Sequence, residues 1–261
     1  MGTEHGVAWS VEGGLGRIEL QRPDKANALS VQAAQALARA IHAVLDLHPK
    51  VVMLTAQGRV FCAGGDIQEF GQAGDSLASV VDQILDALHP AIERLVRQDA
   101  PVISVVSGSL GGAGIGLALC ADFVLASTDM KLRTGYASIG LSPDVGASYF
   151  LSRRIGSQKA KQWFLLSEAM DAQVCWQSGA VDELHAPAEL MARAESLAQK
   201  LLAGARGAHA AIKGLCDGAS TLSLGEHLQR EHALMRQQAQ GSDGREGVAA
   251  YLARRTPNFS E

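Results

Sequence analysis

Two short runs of small residues carry the clearest chemical signal in this sequence: Phe61-Cys62-Ala63-Gly64-Gly65-Asp66-Ile67 and Ser107-Gly108-Ser109-Leu110-Gly111-Gly112-Ala113-Gly114. Each follows an apolar, strand-like stretch and leads into a helical one, so each reads as a strand-to-turn-to-helix passage. Small residues let a ligand approach the main chain, and a helix start presents unpaired N–H groups with partial positive charge. Two such turns side by side can hold one oxygen that becomes negative during a reaction. Tight packing in ordinary turns is the competing explanation. Neither run is a Gly-x-x-x-x-Gly-Lys-Ser/Thr phosphate loop, and Gly111 to Gly116 lacks the first-strand position of a dinucleotide fingerprint. Cys62 has no histidine paired with it in sequence and reads as a small packing residue rather than a nucleophile. Cys62, Cys120, Cys175 and Cys216 lie far apart, with no Cys-x-x-Cys and no histidine cluster, so reduced thiols and no metal site are expected.

Alternating elements must position these turns. Gly16 to Leu20, Val51 to Thr55, Pro101 to Val106 and Asp122 to Ala126 read as buried strands. Ser30 is placed to cap a helix whose Leu37, Ile41, Val44 and Leu45 recur at three- and four-residue spacing, ending before Pro49. A second helix is expected from Ser76 to Gln98, kinked or restarted at Pro90. Strand-helix-strand crossovers of this kind build a mainly parallel sheet with ligands at the loops leaving the strand ends. After about Ser157 strand-like runs vanish. Helical periodicity continues through Gln158–Leu166, Ala188–Leu202, Ala208–Cys216, Leu224–Gln238 and Gly244–Arg255. The chain is read as an α/β core over residues 1–200 followed by a C-terminal helical region over 201–261, with no linker to mark the boundary.

The chain has 261 residues, 47% of them hydrophobic and 19% charged, a globular composition that excludes a disordered or collagenous chain. Its net charge of −4 offers no basic field for nucleic acid, so an anionic ligand must be met locally. No basic stretch precedes an apolar one at the N-terminus, and no apolar run is long enough to span a bilayer. Gly6 stands where a myristoylation signal wants Ser or Thr. A cytoplasmic protein without membrane contact is expected.

The sequence resembles the enoyl-CoA hydratase/isomerase superfamily, the crotonase fold, over almost its whole length. Arg22-Pro23-Asp24-Lys25-Ala26-Asn27-Ala28-Leu29 is similar to that family's N-terminal signature, and the two glycine runs are similar to its oxyanion loops. The stretch from Glu246 to Phe259 is similar to its closing helix and tail. The resemblance implies a ββα spiral core, a C-terminal helical trimerisation region and a homotrimer or homohexamer. It also implies an acyl-CoA substrate, with CoA as carrier and no separate cofactor. By the same resemblance the amides of Gly65 and Ala113 would bind the thioester oxygen. Lys25 and the loop Ala63, Gly64, Gly65, Asp66, Ile67 and Gln68 would contact the adenine and phosphate half of CoA. Tyr251 would pack, and Arg254 would meet a phosphate, in a neighbouring subunit's site. A solvated surface charge is the other reading of Arg254.

The sequence departs from the family's best-known hydratases at two positions where they carry carboxylates. Gly116 stands at the first and Tyr136 at the second, and a phenol with a reference pKa of about 10 is a poor base near neutrality. Asp144, in Leu141-Ser142-Pro143-Asp144-Val145-Gly146-Ala147-Ser148, offers one acid where those hydratases more often carry glycine. This pattern resembles the ring-isomerising branch typified by 1,2-epoxyphenylacetyl-CoA isomerase. One carboxylate beside an enolate suffices to move a proton between carbons, whereas hydration needs an activated water and a second proton. The expected activity is an acyl-CoA isomerase or hydratase-like lyase in fatty-acid or aromatic-acid breakdown, with Asp144 as acid/base and Tyr136 nearby. Asp144 as a mere turn residue or helix cap is the structural alternative. A CoA-binding protein without catalysis, suggested by Gly116 and Tyr136, stays open. So does a relative of the 4-chlorobenzoyl-CoA dehalogenases, in which His89 and Tyr136 would assist Asp144. His89 itself reads as a cap or packed side chain of its helix.

Overall fold

A computed structural model describes residues 1–259; the last two residues of the 201–261 region lie outside the described residues. In chain order the strands are β1 (Gly2–Glu4), β2 (Val7–Glu12), β3 (Leu15–Leu20), β4 (Val51–Ala56), β5 (Val60–Cys62), β6 (Val102–Val106), β7 (Ser109–Gly111), β8 (Phe123–Ser127), β9 (Lys131–Arg133), β10 (Ala169–Asp171) and β11 (Glu183–His185). The helices are α1 (Val31–Asp46), α2 (Ile67–Ala73), α3 (Leu77–Arg97), α4 (Ala113–Leu119), α5 (Ala147–Ile155), α6 (Ser157–Leu166), α7 (Ala172–Ser178), α8 (Pro187–Leu202), α9 (Arg206–Gly218), α10 (Leu224–Gln240) and α11 (Ser242–Leu252).

The large sheet has the order β1-β2-β3-β4-β6-β8-β11, parallel from β3 onward, and the small one β10-β9-β7-β5. The chain lays β4, β6 and β8 in the first and β5, β7 and β9 in the second, returning each time through helix. Three such turns make the expected ββα spiral. Parallel strands covered on both faces are apolar throughout, and β6, Val-Ile-Ser-Val-Val, is buried at every position. Alternate residues face opposite sides: Val52 and Leu54 join the core under α1 and α3, while Val51 and Met53 pack against Leu190, Ala194 and Leu197 of α8.

The long elements match the sequence reading within two residues, except that α11 ends at Leu252, three residues before the expected Arg255. Ser30 caps α1 by accepting from the Ala33 amide, and Leu37, Ile41, Val44 and Leu45 are all buried. Two expectations need correction. Helix α3 does not restart at Pro90 but runs through it as one 21-residue helix. A proline removes a single N–H, and here burial of Leu88, Ala91, Ile92 and Leu95 on either side of Pro90 holds the helix together. Strands also do not vanish after Ser157. β10 closes the small sheet antiparallel to β9, and β11 extends the large one parallel to β8. Both are three residues long, and a neighbouring edge rather than their own pattern makes them strands.

Helix α9 is tied to the sheet by an ion pair of 2.8 Å between Lys213 and Asp122. Helix α10 starts with a capping box of Ser223 and Glu226 and buries none of its residues in the single chain, and α11 buries only Ala250. Leu224, Leu228, Met235, Val248, Tyr251 and Leu252 stand exposed on these two helices. Among the described residues no helix is long and apolar enough to cross a membrane.

Candidate active site

The first glycine turn leaves β5 at Cys62 and enters α2, capped by Asp66, whose Oδ1 accepts from the amides of Gln68 and Glu69. The second leaves β7 and enters α4 at Ala113, with Gly112 at φ +50°. The turns lie against each other. Gly64 has φ +99°, and a Cβ on it would sit 3.1 Å from the Ala113 nitrogen and the Gly112 Cα. A side chain there would wedge the turns apart. The Ala26–Leu29 segment runs alongside the first turn: Ala63 donates to Ala26, Leu29 to Gly64 at 2.8 Å, and Asp66 to Leu29. These bonds use the amides of Ala63 and Asp66 and the carbonyl of Gly64. Among the described residues the Gly65 and Ala113 amides themselves find no acceptor. Both residues line a cavity of about 650 Å³, and an unpaired amide on such a wall is poised to receive an oxygen.

Across this cavity lies the acid. Tyr136 donates its hydroxyl proton to Asp144 Oδ1 at 2.5 Å, and the Asp144 amide reaches back to the phenol oxygen at 3.4 Å. Burial pushes the Asp144 carboxyl above its ordinary range, against the opposing pull of the Tyr136 hydrogen bond and the nearby His89. Tyr136 is itself buried and faces the Asp144 charge, and both effects push its pKa upward. The phenol therefore keeps its proton and serves as a donor, while Asp144 is the group whose carboxylate can take up a proton. Burial pushes the Cys62 thiol up to about 12, which suits packing and not nucleophilic attack.

The chain carrying Asp144 turns sharply. Ala147 donates to the Asp144 carbonyl at 2.8 Å across Val145 at φ +47° and Gly146 at φ +74°. Two successive left-handed residues make a type I′ corner, usually given to Asn, Asp or Gly. Val145 holds the first place at a cost of about 1–2 kcal/mol, with its side chain buried in the core.

The rest of the wall is largely apolar. Val81, Ile84 and Leu85 line it from one face of α3, Phe70 from α2, and Ile139 and Leu141 from the loop before Asp144. His89 continues the α3 face into the cavity and is exposed there, so it is neither a cap nor a packed core residue. Its spacing from Val81 and Leu85 was the available signal. Arg133 on β9 also lines the cavity, holding the Ser167 carbonyl through Nε at 3.1 Å, and sequence reasoning missed it.

Of the residues expected to bind CoA, Ala63, Gly65 and Ile67 line the cavity, while Lys25, Gly64, Asp66 and Gln68 do not. Lys25 and Gln68 meet at 3.4 Å on the adjoining surface. The Asp66 carboxylate is engaged by the α2 amides and lies 3.8 Å from Arg22. Tyr251 is 83% exposed, and neither it nor Arg254 reaches the cavity of its own chain. Gly116 is buried within α4.

A ββα spiral with paired turn amides and an acid on one cavity defines a crotonase-fold protein. Residues 10–261 match the model of the enoyl-CoA hydratase/isomerase family. The chain is 30% identical to a probable enoyl-CoA hydratase of Rhodobacter capsulatus over 98% of each chain. It is 31% identical to the 1,2-epoxyphenylacetyl-CoA isomerase of Escherichia coli over 96% of each. Among solved structures, an enoyl-CoA hydratase from Polaromonas sp. JS666 superposes with a TM-score of 0.90 at 32% identity, covering 97% of this chain and 99% of that one. The chain belongs to the enoyl-CoA hydratase/isomerase family and is an enzyme of that family.

Proposed function

We propose that the protein is an acyl-CoA isomerase or hydratase-like lyase in which Gly65 and Ala113 hold the thioester oxygen and Asp144 moves the proton. One observation carries this reading: two amides without acceptors and one half-buried, hydrogen-bonded carboxyl open on the same cavity. Loss of a proton from a carbon next to the thioester, or conjugated with it, places negative charge on the thioester oxygen. Two preorganised N–H donors stabilise that charge. Asp144 takes the proton and returns it at another carbon, so the double bond moves and nothing else is consumed. A single acid suits this shift better than addition of water, which also needs the water activated. The similarity to 1,2-epoxyphenylacetyl-CoA isomerase fits this choice.

On this reading the CoA half lies along Lys25 and the loop from Ala63 to Gln68, met mainly by main-chain groups. Tyr251 and Arg254 would serve a neighbouring copy's site in a homotrimer or a dimer of trimers. CoA would be the carrier, without a separate cofactor, and the setting cytoplasmic breakdown of fatty or aromatic acids. Light scattering tests the assembly: a stable 27.4 kDa monomer at micromolar concentration would remove the neighbour's contribution.

Incubation with crotonyl-CoA, trans-3-hexenoyl-CoA and a 2,4-dienoyl-CoA in deuterium oxide tests the chemistry. Deuterium entering the α or γ carbon supports it, whereas CoA binding with no exchange on any of the three would mark a binding protein. Tyr136→Phe tests the donor. Turnover should fall about tenfold, the worth of one hydrogen bond to a charged group. The phenol favours the ionised carboxylate, so its loss raises the Asp144 pKa further, and the acid limb of the rate profile should move to higher pH. An unchanged limb would show that the two groups do not work as a pair.

A further inference from the structure

Helix α4 and the Asp144 corner meet at Gly116, one of two positions where α4 offers no side chain. A Cβ on Gly116 would overlap the Val145 carbonyl oxygen and lie 2.7 Å from its carbonyl carbon and 3.0 Å from the Ala147 nitrogen. All three are main-chain atoms, so no rotamer change relieves the crowding. The corner that rests there is strained at Val145, a β-branched residue in the left-handed region. Such strain persists only where the surroundings over-determine it, and it gathers at functional sites. Here the surroundings are bare α4 under the Val145 carbonyl, the core around its side chain and the Ala147 bond to the Asp144 carbonyl.

We propose that Gly116 and the left-handed Val145 together act as a positioning device that fixes the Asp144 carboxyl beside Tyr136 on the cavity wall. The inference rests on Asp144 as the acid/base of the proposed reaction. Gly116 acts through the Val145 main chain, one residue along from Asp144. A side chain at 116 would lift the corner, let Val145 relax to negative φ and rotate the Asp144–Val145 peptide, drawing the carboxyl from the phenol. Alanine is a better helix former than glycine, so Gly116→Ala improves the local propensity of α4 while removing the support of the acid.

The test compares the parent with Gly116→Ala, Val145→Gly and Asp144→Asn in two measurements. One is deuterium exchange into trans-3-hexenoyl-CoA, resolved into kcat and KM. The other is titration of the Asp144 carboxyl by carbon NMR, which needs no turnover and takes its assignment from Asp144→Asn. Displacement of a reacting group by about 1 Å can cost about 10²-fold, and a kcat loss of that order with little change in KM is expected for Gly116→Ala. Its carboxyl should leave the buried site and titrate nearer the ordinary aspartate range. Tyr136, His89 and Cys62, the titratable groups interacting with Asp144, are the same in all four proteins. Val145→Gly adopts positive φ freely, so it folds even where Gly116→Ala does not. It loses the side-chain lock, and its kcat and titration should move in the same directions. Parent kcat and parent titration in Val145→Gly, or a lower melting temperature alone in Gly116→Ala, would overturn the proposal while Asp144→Asn still reports on the acid. Parent exchange in Asp144→Asn would instead refute the acid/base role, leaving the titration to judge the geometry.

Discussion

Asp144→Asn should lower kcat by about 10²- to 10⁴-fold, the usual worth of one positioned acid/base, while KM for an acyl-CoA changes little. Asparagine keeps the size and an oxygen that can accept from Tyr136, so the cavity wall survives and only proton exchange is lost. The acid limb of the rate profile should vanish with it. Stability should move the other way. Burial raises the folded-state pKa of Asp144, so between its unfolded and folded pKa values the folded chain binds more protons than the unfolded one, and stability falls as pH rises through that window. Above it the buried charge is a standing cost, and the neutral amide removes it. Thermal melting at neutral pH should therefore show Asp144→Asn at least as stable as the parent. A variant that keeps near-parent turnover would make the carboxyl a turn residue.

Ala113→Pro should lower kcat by about 10²- to 10³-fold, the usual worth of one oxyanion donor. Ala113 is the first residue of α4, where proline is well tolerated because its missing N–H has no partner within the helix. The preceding residue is Gly112, which the proline ring restricts least. The substitution thus removes the N–H and leaves the helix start, although the ring also takes up space beside Gly64. Turnover and a thermal melt of the same preparation check it. Near-parent turnover in a folded Ala113→Pro protein would leave the Gly65 amide without its partner in the proposed chemistry.

The turns at Gly65 and Ala113 were legible because two closely packed turns demand small residues between a strand and a helix, and that demand is local. The long strands and helices were legible for the same reason: β4, β6 and α1 carry their burial pattern within themselves. The small sheet was not. Its strands are three residues each, too short for any period, and they exist because each finds an edge made by a segment distant in the chain. Pro90 misled because burial on both sides of it outweighs one lost hydrogen bond. Val145 could not be read at all, since sequence rules place Asn or Gly at positive φ and only the bare surface of Gly116 explains an exception. The Tyr136–Asp144 bond joins two residues on one loop, but only the fold decides that they face the same cavity as His89 and Arg133.

The joint between Leu29 and the Gly64 turn, like those between Gly64 and Gly112 and between Gly116 and Val145, links segments far apart in sequence. Such contacts form only after the intervening chain has closed, and closure costs entropy before any contact repays it. A chain refolding from denaturant can therefore regain much of its helix from α1, α3 and the C-terminal helices before the paired amides and the acid face one another. No single element carries this cavity wall by itself, and the wall is complete only once segments distant in the chain have packed together.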